Sequence, residues 1–470
     1  MRIHRGAKIR IIDANQVTID WLNQERVLPN PDYAKKARMG LSTYRVPRTL
    51  CLFEKDGDDY LVPAGDFRRL LELAGSDLEV ITDEFKAPLF TINYEAPALH
   101  LYNYQQEAVN ELIRAGGGIL QAPAGSGKTQ MAIGLIQMLR CKALWLTHTA
   151  DLLQQSKKRA ECYMDPALMG TITAGQVEIG EGITFATVQT MEKLDLNQYR
   201  DTWPLVIVDE CHRCSGTPTQ VTRFSKILNS LAAVFKYGLS ATIHRSDGLI
   251  ACTHSLLGPI AYSVPEKAVA DKIMTVDIFP VLTGIPMPGG KAINPDMTIN
   301  FTGLITELTI DIGRNAMITR MIAGCENQSC LILSDRVNHL EHMVASLPAH
   351  LIPFARIVSG KMSSKKGREE REQIMEDMRS GKASYLFATY ALAKEGLDIP
   401  CLENLFLTTP QKDYAIVTQS IGRIARTAEG KTKARCFDFV DNFPYAINAW
   451  KKRCTTYRKI RTTIHEGVKP

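Results

Sequence analysis

A glycine-rich loop that ends in lysine and threonine is the first segment of this 470-residue chain that predicts chemistry. It reads APAGSGKT over residues 122–129, after an apolar run and before a helical stretch. Glycines let several backbone N–H groups point at one anion, the lysine adds a positive charge, and the threonine hydroxyl can ligate Mg²⁺. We therefore predict a site for a nucleoside triphosphate with Mg²⁺. The predicted phosphate-binding residues are Ala124, Gly125, Ser126, Gly127, Lys128 and Thr129, and Ala122 stands where the usual motif has glycine.

Two adjacent carboxylates follow a second apolar run. Asp209 and Glu210 come directly after LVIV at 205–208, about 80 residues beyond the glycine loop. A buried parallel strand delivers the residues at its C-terminal end to the sheet edge where ligands bind. We expect Asp209, together with Thr129, to hold Mg²⁺. We expect Glu210 to orient and deprotonate the attacking water.

Composition limits the class of protein. At about 150 residues per domain, the length predicts roughly three domains. The net charge of +6 permits nucleic-acid binding but does not demonstrate it. The eleven cysteines have no regular short spacing, which indicates a reduced compartment. Because there is no apolar run of about 18 residues and no signal-peptide pattern, we expect a cytoplasmic protein.

Short apolar runs alternate with helical stretches over residues 98–267 and again over residues 268–446. This alternation is typical of βαβ units that build a parallel sheet. The sequence therefore predicts an α/β fold with two tandem parallel-sheet domains, preceded by a small α+β domain over residues 1–97. In that first domain the patterns predict strands at 7–12, 16–21, 49–53 and 60–62, a helix at 65–74 and a hairpin turn at Asp56-Gly57.

Three further segments leave two interpretations each. Residues 30–48 are rich in Lys, Arg, Tyr and Pro, and form either a solvated loop or a nucleic-acid contact surface. Residues 286–301 are rich in Pro, Gly and Asn, and form either a passive loop or hairpin or a wedge that enters a nucleic acid. Residues 447–470 form a basic C-terminal tail that either grips a duplex or is a solvated terminal helix.

These motifs together make the chain similar to superfamily-2 helicases over most of residues 98–446. DECH at 209–212 looks like the DEAD/DEAH box, and Ser240-Ala241-Thr242 looks like the SAT motif. LYNYQQEA at 101–108 resembles the segment that recognises adenine, in which Gln105 would read the adenine edge. IHRSDG at 243–248 resembles a segment of the XPB-like, UvsW-like and restriction-translocase-like branches, which include phage branch-migration helicases.

The second predicted domain resembles the same family. CLILS at 330–334 looks like motif IV, ATYALAKEGLDIP at 388–400 looks like motif V, and QSIGRIAR at 419–426 looks like motif VI. The resemblance places Gly396 and Asp398 of motif V at the nucleotide. Gln419, Arg423 and Arg426 are spaced i, i+4, i+7, which predicts one shared helix face. The resemblance implies that these arginines act on the ATP phosphates as arginine fingers.

The resemblance implies two RecA-like domains that use ATP and Mg²⁺ to move along DNA as an ATP-hydrolysing helicase with 3′→5′ polarity. His212, Ser240 and Thr242 would couple hydrolysis to unwinding, although His212 has an alternative as a plain strand-end residue. The expected substrate is forked, branched or partly single-stranded DNA in replication, recombination or repair, with replication or recombination proteins as partners in a bacterial or phage-infected cell. The predicted nucleic-acid contacts are Thr147, His148, Thr149, Thr187, Gln189, Thr190, Ser334 and Thr389.

Three alternatives stay open at this point. The chain is also compatible with a duplex translocase that does not separate strands, with an RNA helicase, and with a catalytically silent nucleic-acid scaffold. The scaffold is disfavoured because the predicted chemical residues are intact, namely Lys128, Asp209, Glu210, Arg423 and Arg426. Strand displacement distinguishes the first alternative, and comparing DNA with RNA as stimulators of ATP hydrolysis distinguishes the second.

Overall fold

The computed structural model describes residues 1–85, 99–123, 125–241, 243, 247–360, 362, 365–395, 397 and 399–467. It has a mixed α/β fold in which two RecA-like parallel-sheet domains follow a small N-terminal α+β domain. The chain divides into two compact units, Met1–Pro123 with Gly127–Ala268, and Ala124–Ser126 with Val269–Pro470. Within the described ranges, none of the helices combines the length and the apolar character needed to cross a lipid bilayer.

The N-terminal domain is built on a five-stranded sheet with the order β5-β6-β2-β1-β7, and β3 pairs with β4 in a separate ribbon. Its core contains Ile3, Ile11, Trp21, Val62 and Leu70. The predicted turn at Asp56-Gly57 connects β5 and β6. The elements are β1 (Arg2–Arg5), β2 (Lys8–Ile12), α1 (Gln16–Glu25), β3 (Val27–Pro29), α2 (Pro31–Arg38), β4 (Thr49–Cys51), β5 (Glu54–Asp56), β6 (Asp59–Pro63), α3 (Phe67–Ala74) and β7 (Glu79–Asp83).

Residues 16–21 belong to the helix α1, so the prediction of a strand there is wrong. Apolar and polar residues alternate in this segment, which is the pattern of a strand. The Asn15 side chain, however, accepts a hydrogen bond from the Thr18 N–H at 2.9 Å and begins a helix. The buried residues Thr18, Trp21 and Leu22 then lie on one helical face. Helix capping and packing against the sheet therefore outweigh the local alternation.

The first RecA-like domain has an eight-stranded sheet with the order β11-β10-β12-β9-β13-β14-β8-β15, in which only β10 and β11 are antiparallel neighbours. The apolar runs at 118–121, 143–147, 183–187, 205–209 and 234–239, which predict strands, all form strands, while β10, β11 and β15 were not predicted. The elements are α4 (Asn103–Ala115), β8 (Gly118–Gln121), α5 (Lys128–Leu139), β9 (Ala143–Thr147), α6 (Ala150–Glu161), β10 (Met169–Thr173), β11 (Gln176–Glu178), β12 (Ile183–Thr187), α7 (Val188–Met191), β13 (Leu205–Asp209), α8 (Arg223–Leu228), β14 (Phe235–Ser240), α9 (Ile250–Leu257) and β15 (Ile260–Ser263).

The second RecA-like domain has a seven-stranded parallel sheet with the order β18-β19-β17-β20-β21-β16-β22. Val276, Leu331, Leu386 and Leu405 from four of its strands lie in one buried cluster. The elements are β16 (Val276–Leu282), α10 (Phe301–Ile310), α11 (Ile312–Ala323), β17 (Cys330–Ser334), α12 (Val337–Ala345), β18 (Ala355–Val358), α13 (Lys365–Arg379), β19 (Tyr385–Thr389), α14 (Tyr390–Glu395), β20 (Asn404–Leu407), α15 (Tyr414–Ile424), β21 (Arg435–Val440), α16 (Pro444–Tyr457) and β22 (Thr462–Ile464).

Residues 447–467 are part of this domain, so the prediction of a basic tail is wrong for them. The strand β22 pairs with β16 at the sheet edge. The side chain of Arg453 on α16 is 2% exposed, and its guanidinium donates to the buried Asp438 carboxylate at 2.7 and 2.8 Å. Because a buried cation needs a paired anion, this contact fixes α16 onto the sheet. A solvated terminal helix does not describe the segment either.

The segment 286–301 closes into a short hairpin. Ile293 and Ile299 form an antiparallel bridge, and the Asn294 N–H donates to the Thr298 carbonyl at 2.8 Å. The Asn300 side chain accepts from the Gly303 N–H at 3.1 Å and so begins α10. The predicted loop or hairpin therefore has ordered ends.

The N-terminal domain docks on the edge of the first RecA-like sheet where β8 and β14 begin. Lys236, the second residue of β14, is 5% exposed and donates from Nζ to the Leu228 carbonyl at 2.7 Å and the Ala7 carbonyl at 3.4 Å. Gly65 lies so close to α9 that an added Cβ would be 2.4 Å from the Gly258 nitrogen. The N-terminal domain thus docks at the edge where the strands begin. The predicted nucleotide-binding residues lie at the opposite edge, where the strands end.

Candidate nucleotide and nucleic-acid sites

The phosphate loop leaves the carboxyl end of β8 and leads into α5. Gly125 and Gly127 have φ angles of +83° and +81°, a backbone conformation that glycine adopts without steric cost. Lys128 begins α5, and its Nζ donates to the Ala122 carbonyl at 3.1 Å. This curled backbone at a helix N-terminus is suited to phosphate oxygens. Ala124 lies outside the described residues.

Gln105 lies beside this loop. It is 4% exposed near the start of α4, where its Oε1 accepts from the Tyr102 N–H at 3.0 Å. Its Nε2 is so close to Gly127 that an added Cβ there would lie 2.4 Å away. The structure therefore brings the predicted adenine-reading residue next to the predicted phosphate loop, although Gln105 and Gly127 are 22 positions apart in the sequence.

The paired acids stand at the carboxyl end of β13. The Oδ1 of Asp209 accepts from the Glu210 N–H at 2.9 Å, and Glu210 has a φ of +50°, which turns the chain directly after the strand. Burial and the neighbouring Glu210 carboxylate raise the pKa of Asp209 to about 7, while the Lys128 ammonium acts in the opposite direction. Two carboxylates placed together in a poorly solvated site suit a divalent cation, which stabilises their charged form.

Ser156 is a residue of this site that the sequence reasoning missed. It is 3% exposed on α6, and its hydroxyl donates to Oδ2 of Asp209 at 3.5 Å. The distance is at the outer limit for a hydrogen bond. No motif marks a serine in the middle of an amphipathic helix, so only its buried position could have revealed it.

His212 joins the acids to the neighbouring strand. Its Nδ1 lies 3.1 Å from the Ser240 hydroxyl and 3.2 Å from Oε2 of Glu210. Ser240 is fully buried at the end of β14. The structure thus brings together two of the three residues predicted to couple hydrolysis to unwinding, and Thr242 lies outside the described residues. A movement of the Glu210 side chain would therefore be transmitted to Ser240 on β14 through the His212 imidazole.

Most of the predicted nucleic-acid contacts in the first domain are turned inward. Thr147 is fully buried and donates to the Thr149 carbonyl at 3.0 Å, while the Thr149 hydroxyl caps α6. The Thr187 hydroxyl, 4% exposed, is bonded to Thr190 at 3.2 Å. These hydroxyl groups shape the loops at the carboxyl edge. In this structure the Thr147 hydroxyl is occupied by an internal hydrogen bond, and contact of this residue with nucleic acid stays a prediction.

The loops after β9 and β12 are tied by a further predicted residue. The Gln189 side chain donates from Nε2 to the His148 carbonyl at 2.6 Å. His148 itself is 8% exposed. The two predicted contact loops therefore form one ordered surface at the sheet edge.

In the second domain, Ser334 at the end of β17 is fully buried, and its contact with nucleic acid stays a prediction. The hydroxyl lies 2.9 Å from Nδ1 of His339, whose Nε2 lies 2.9 Å from Oδ1 of Asn315. Because the Asn315 amide nitrogen donates to a carbonyl, its oxygen accepts from Nε2–H and leaves Nδ1 to accept from Ser334. Burial lowers the pKa of His339 to about 3, which keeps the ring neutral as this arrangement requires. Thr389 is half-buried at the end of β19.

Motif VI differs from its prediction. Gln419 and Arg423 lie one turn apart on α15, and Nη1 of Arg423 donates to the Leu397 carbonyl at 3.0 Å. Arg426 lies two residues beyond the helix, in an isolated antiparallel bridge with Ile273. The prediction that three side chains share one helix face is therefore wrong for Arg426, because α15 ends at Ile424. The motif V residues Gly396 and Asp398 lie outside the described residues.

A lysine that no motif marks holds the end of this helix. The Nζ of Lys431 donates to the carbonyls of Ile424 at 2.6 Å, Arg426 at 2.7 Å and Pro400 at 3.3 Å. Burial lowers the pKa of Lys431 to about 8. Its ammonium therefore connects the backbone that carries Arg426 with the end of motif V.

Comparison with known proteins agrees with this fold. Residues 98–245 match the family described as type III restriction enzyme, res subunit, and residues 313–428 match the helicase conserved C-terminal domain. A protein provisionally named helicase 22, from Sulfolobus islandicus filamentous virus, is 25% identical over 418 residues, covering 83% of this chain and 72% of that protein. The DNA 3′-5′ translocase XPB2 of Sulfurisphaera tokodaii is 30% identical over 196 residues, 41% of each chain.

Among solved structures, the ATP-dependent Type ISP restriction-modification enzyme LlaBIII bound to DNA aligns with a TM-score of 0.55 and 15% identity. That alignment covers 80% of this chain and 32% of LlaBIII. A phosphate loop, paired acids and two RecA-like domains define an ATP-hydrolysing nucleic-acid helicase. The two matched families and the related helicases show that this chain belongs to superfamily 2.

Proposed function

We propose that this helicase moves 3′→5′ on DNA and acts on forked or branched substrates in replication, recombination or repair. The observation that carries the motor function is the group formed by Lys128, Asp209 and Glu210, with His212 extending it to Ser240 at 3.1 Å. The related XPB2 protein is named a DNA 3′-5′ translocase, which supports the polarity and the choice of DNA. We infer a nucleic-acid track at the carboxyl edges of the two sheets.

The proposed chemistry follows from these side chains. Thr129 and Asp209 would hold Mg²⁺, which would supply positive charge to the phosphates when bound. Lys128 neutralises the terminal phosphates, and Glu210 orients water and accepts its proton. Arg423 and Arg426 stabilise the charge of the transition state. His212 transmits a movement of the Glu210 side chain to β14 through its contact with Ser240.

The N-terminal domain supplies a basic arm, which we define as residues 31–49. The arm contains five basic residues and one acid, a net charge of +4, whereas the whole chain carries +6. None of its residues is buried, and Tyr44 is 77% exposed. Its base is closed by Asn30, which is 2% exposed and donates from Nδ2 to the Pro47 carbonyl at 2.8 Å. We propose that the arm contacts phosphates of the DNA, because concentrated exposed cations bind them without sequence preference.

The position of the N-terminal domain supports a preference for branched DNA. This domain docks where β8 and β14 begin, while the proposed track lies where the strands end. A five-residue strand such as β13 spans about 17 Å at roughly 3.3 Å per residue. The arm and the track are therefore carried by opposite edges of one sheet. Two such contacts suit a substrate that offers two separate DNA arms.

The test replaces arm charges in the intact chain. Deleting residues 1–97 would also remove the Ala7 carbonyl, which accepts from Lys236, and the Asp66 carboxylate, which accepts from the Ser255 hydroxyl. The arm variant carries Lys35→Gln and Arg38→Gln, and the matched control carries Lys55→Gln and Arg68→Gln. All four side chains are exposed in the same domain. For the arm variant we expect weaker fork binding and a smaller salt dependence, by about 0.9 in slope per lost phosphate contact. Basal ATP hydrolysis should not change.

Strand displacement on labelled forks with each strand tested separately measures activity and polarity. Equal fork affinity of the arm variant and its control would exclude the arm as a DNA contact. ATP hydrolysis stimulated by duplex without a displaced strand would favour a duplex translocase. Stronger stimulation by RNA than by DNA would favour an RNA helicase.

A further inference from the structure

Four side chains form an aromatic and basic surface at the carboxyl edge of the second RecA-like sheet. The Phe301 and Tyr445 ring centroids are 5.7 Å apart at an interplanar angle of 48°. The Nζ of Lys412 is 5.2 Å from the Tyr445 ring centroid. The Nη2 of Arg336 donates to the carbonyl of Thr302 at 3.3 Å, one residue after Phe301. Phe301, Arg336, Lys412 and Tyr445 are termed the aromatic patch below.

The sheet topology explains why these residues meet. Arg336 follows β17, Lys412 follows β20 and Tyr445 follows β21, and these three strands are neighbours in the sheet. Because the strands are parallel, their C-terminal ends meet at one edge. Ser334 and Thr389 end at the same edge, so the aromatic patch adjoins the proposed nucleic-acid track of this domain.

The loops of the aromatic patch are held firmly. The buried Arg453 donates from Nη1 to the Gln411 carbonyl at 2.6 Å, next to Lys412. The Thr409 hydroxyl donates to the Asp335 carboxylate at 2.8 Å and connects the loops after β17 and β20. These contacts place the side chains before any ligand binds, which lowers the entropic cost of binding.

The segment 286–301 fixes Phe301 in particular. Gly303 packs under the Lys291 carbonyl, where an added Cβ would lie 1.7 Å from the oxygen. The Asn300 N–H donates to the Ala292 carbonyl at 2.9 Å. The hairpin is therefore attached to the first turn of α10, and Phe301 stands at that attachment.

The chemistry of the aromatic patch indicates its ligand. Phe301 is 45% exposed although it begins a helix whose Leu304 and Leu308 are buried. Lys412 is exposed beside Tyr445. The adjacent acid Asp413 has another partner, since its carboxylate accepts from the Ile416 N–H and caps α15. A ligand that combines a flat apolar ring with a negative charge fits this surface, and an unpaired nucleotide has both.

We propose that the aromatic patch binds unpaired nucleotides of single-stranded DNA, with bases stacked on Phe301 and Tyr445 and phosphates bound by Lys412 and Arg336. This proposal rests on the proposed helicase function and gives the 286–301 hairpin a role as the support of Phe301. Stacking on an aromatic side chain is tolerant of sequence, which suits a motor that passes along any strand.

The test measures binding of the full chain to a labelled dT oligonucleotide and to the same oligonucleotide with abasic sites. The wild type should bind the dT strand more tightly than the abasic strand. Phe301→Ala should weaken dT binding about 5- to 150-fold and leave the affinity for the abasic strand unchanged. Phe301→Tyr should retain the discrimination. The matched control is Phe354→Ala, because Phe354 is 44% exposed at the start of β18, on the opposite edge of this sheet.

Unchanged dT affinity in Phe301→Ala, as expected if the aromatic patch binds a protein, overturns the proposal. An equal loss for both strands overturns base stacking as well. If Phe301→Ala unfolds at a lower temperature than the wild type, the Lys412→Gln variant is tested in its place. It should lower the slope of dT affinity against salt concentration by about 0.7. It should still bind the dT strand more tightly than the abasic strand. An unchanged slope then counts against the aromatic patch. A wild-type chain that binds neither strand and hydrolyses no ATP contradicts the helicase function itself, which is a different result.

Discussion

The buried Asp66 carboxylate offers a quantitative test of how the N-terminal domain is attached. Asp66 is 1% exposed and accepts from Nε and Nη2 of Arg26 at 3.1 and 2.7 Å, while the Ser255 hydroxyl on α9 donates to its other oxygen. Arg26→Met removes the cation and both of its donors but leaves the carboxylate enclosed. Breaking a buried ion pair on one side costs about 3–5 kcal/mol. We predict a loss of stability in this range for the first unit.

A matched variant on the same domain surface gives the comparison. Arg69 pairs with Glu72 at 3.1 Å and Glu25 at 3.5 Å, and all three side chains are more than 40% exposed. Solvent and salt screen such pairs, so Arg69→Met should cost about 1 kcal/mol or less. Calorimetry should show the Arg26→Met transition about 6–20 °C lower, at roughly 2–4 °C per kcal/mol for a unit of this size.

The pH dependence of stability tests whether the buried charge of Asp66 causes this loss. Burial raises the pKa of Asp66, and the Arg26 guanidinium opposes this rise. Without Arg26 the folded-state pKa rises further above the unfolded value. A carboxyl group whose pKa is higher in the folded than in the unfolded state stabilises the fold at low pH. This contribution to the free energy of unfolding is lost as pH rises through the folded-state pKa. The loss of unfolding free energy caused by Arg26→Met should therefore be larger at pH 8 than at pH 5. A deficit no larger than that of Arg69→Met, or one that grows toward acid, would refute the reasoning.

Three further predictions concern the motor. Glu210→Gln should lower kcat for ATP hydrolysis about 10²- to 10⁴-fold while nucleotide binding persists, because the general base is removed; a loss below tenfold in a steady-state assay would contradict that role. His212→Ala should keep ATP hydrolysis within a few-fold but abolish strand displacement, because the 3.1 Å contact with Ser240 is lost; equal loss of both activities would argue against coupling. Wild-type ATP hydrolysis should fall as pH rises through about 8, where Lys431 loses its proton and releases the Arg426 carbonyl. The Lys431→Arg variant should stay active at higher pH. If the two proteins have the same pH profile of ATP hydrolysis, Lys431 does not position Arg426.

The sequence by itself determined the features that depend on short stretches of chain. The phosphate loop needs glycines, a lysine and a threonine in consecutive positions, and its strand and helix follow from local apolar patterns. Asp209 and Glu210 are recognised in the same way, because a buried strand must end at the sheet edge. The alternation of strands and helices likewise predicted two parallel-sheet domains. The family motifs then gave the helicase class, which the comparisons confirm.

Only the tertiary structure decided what depends on distant partners. The helix at 16–21 forms because its capped, buried face packs on the N-terminal sheet, which the local alternation does not report. Residues 447–467 join the second domain because Asp438 provides a buried partner for Arg453. Asp66 meets Ser255 across 189 positions of the chain, and no local pattern encodes such a contact. The inward turn of Thr147 and Ser334 has the same origin, because burial is a property of packing and not of residue type.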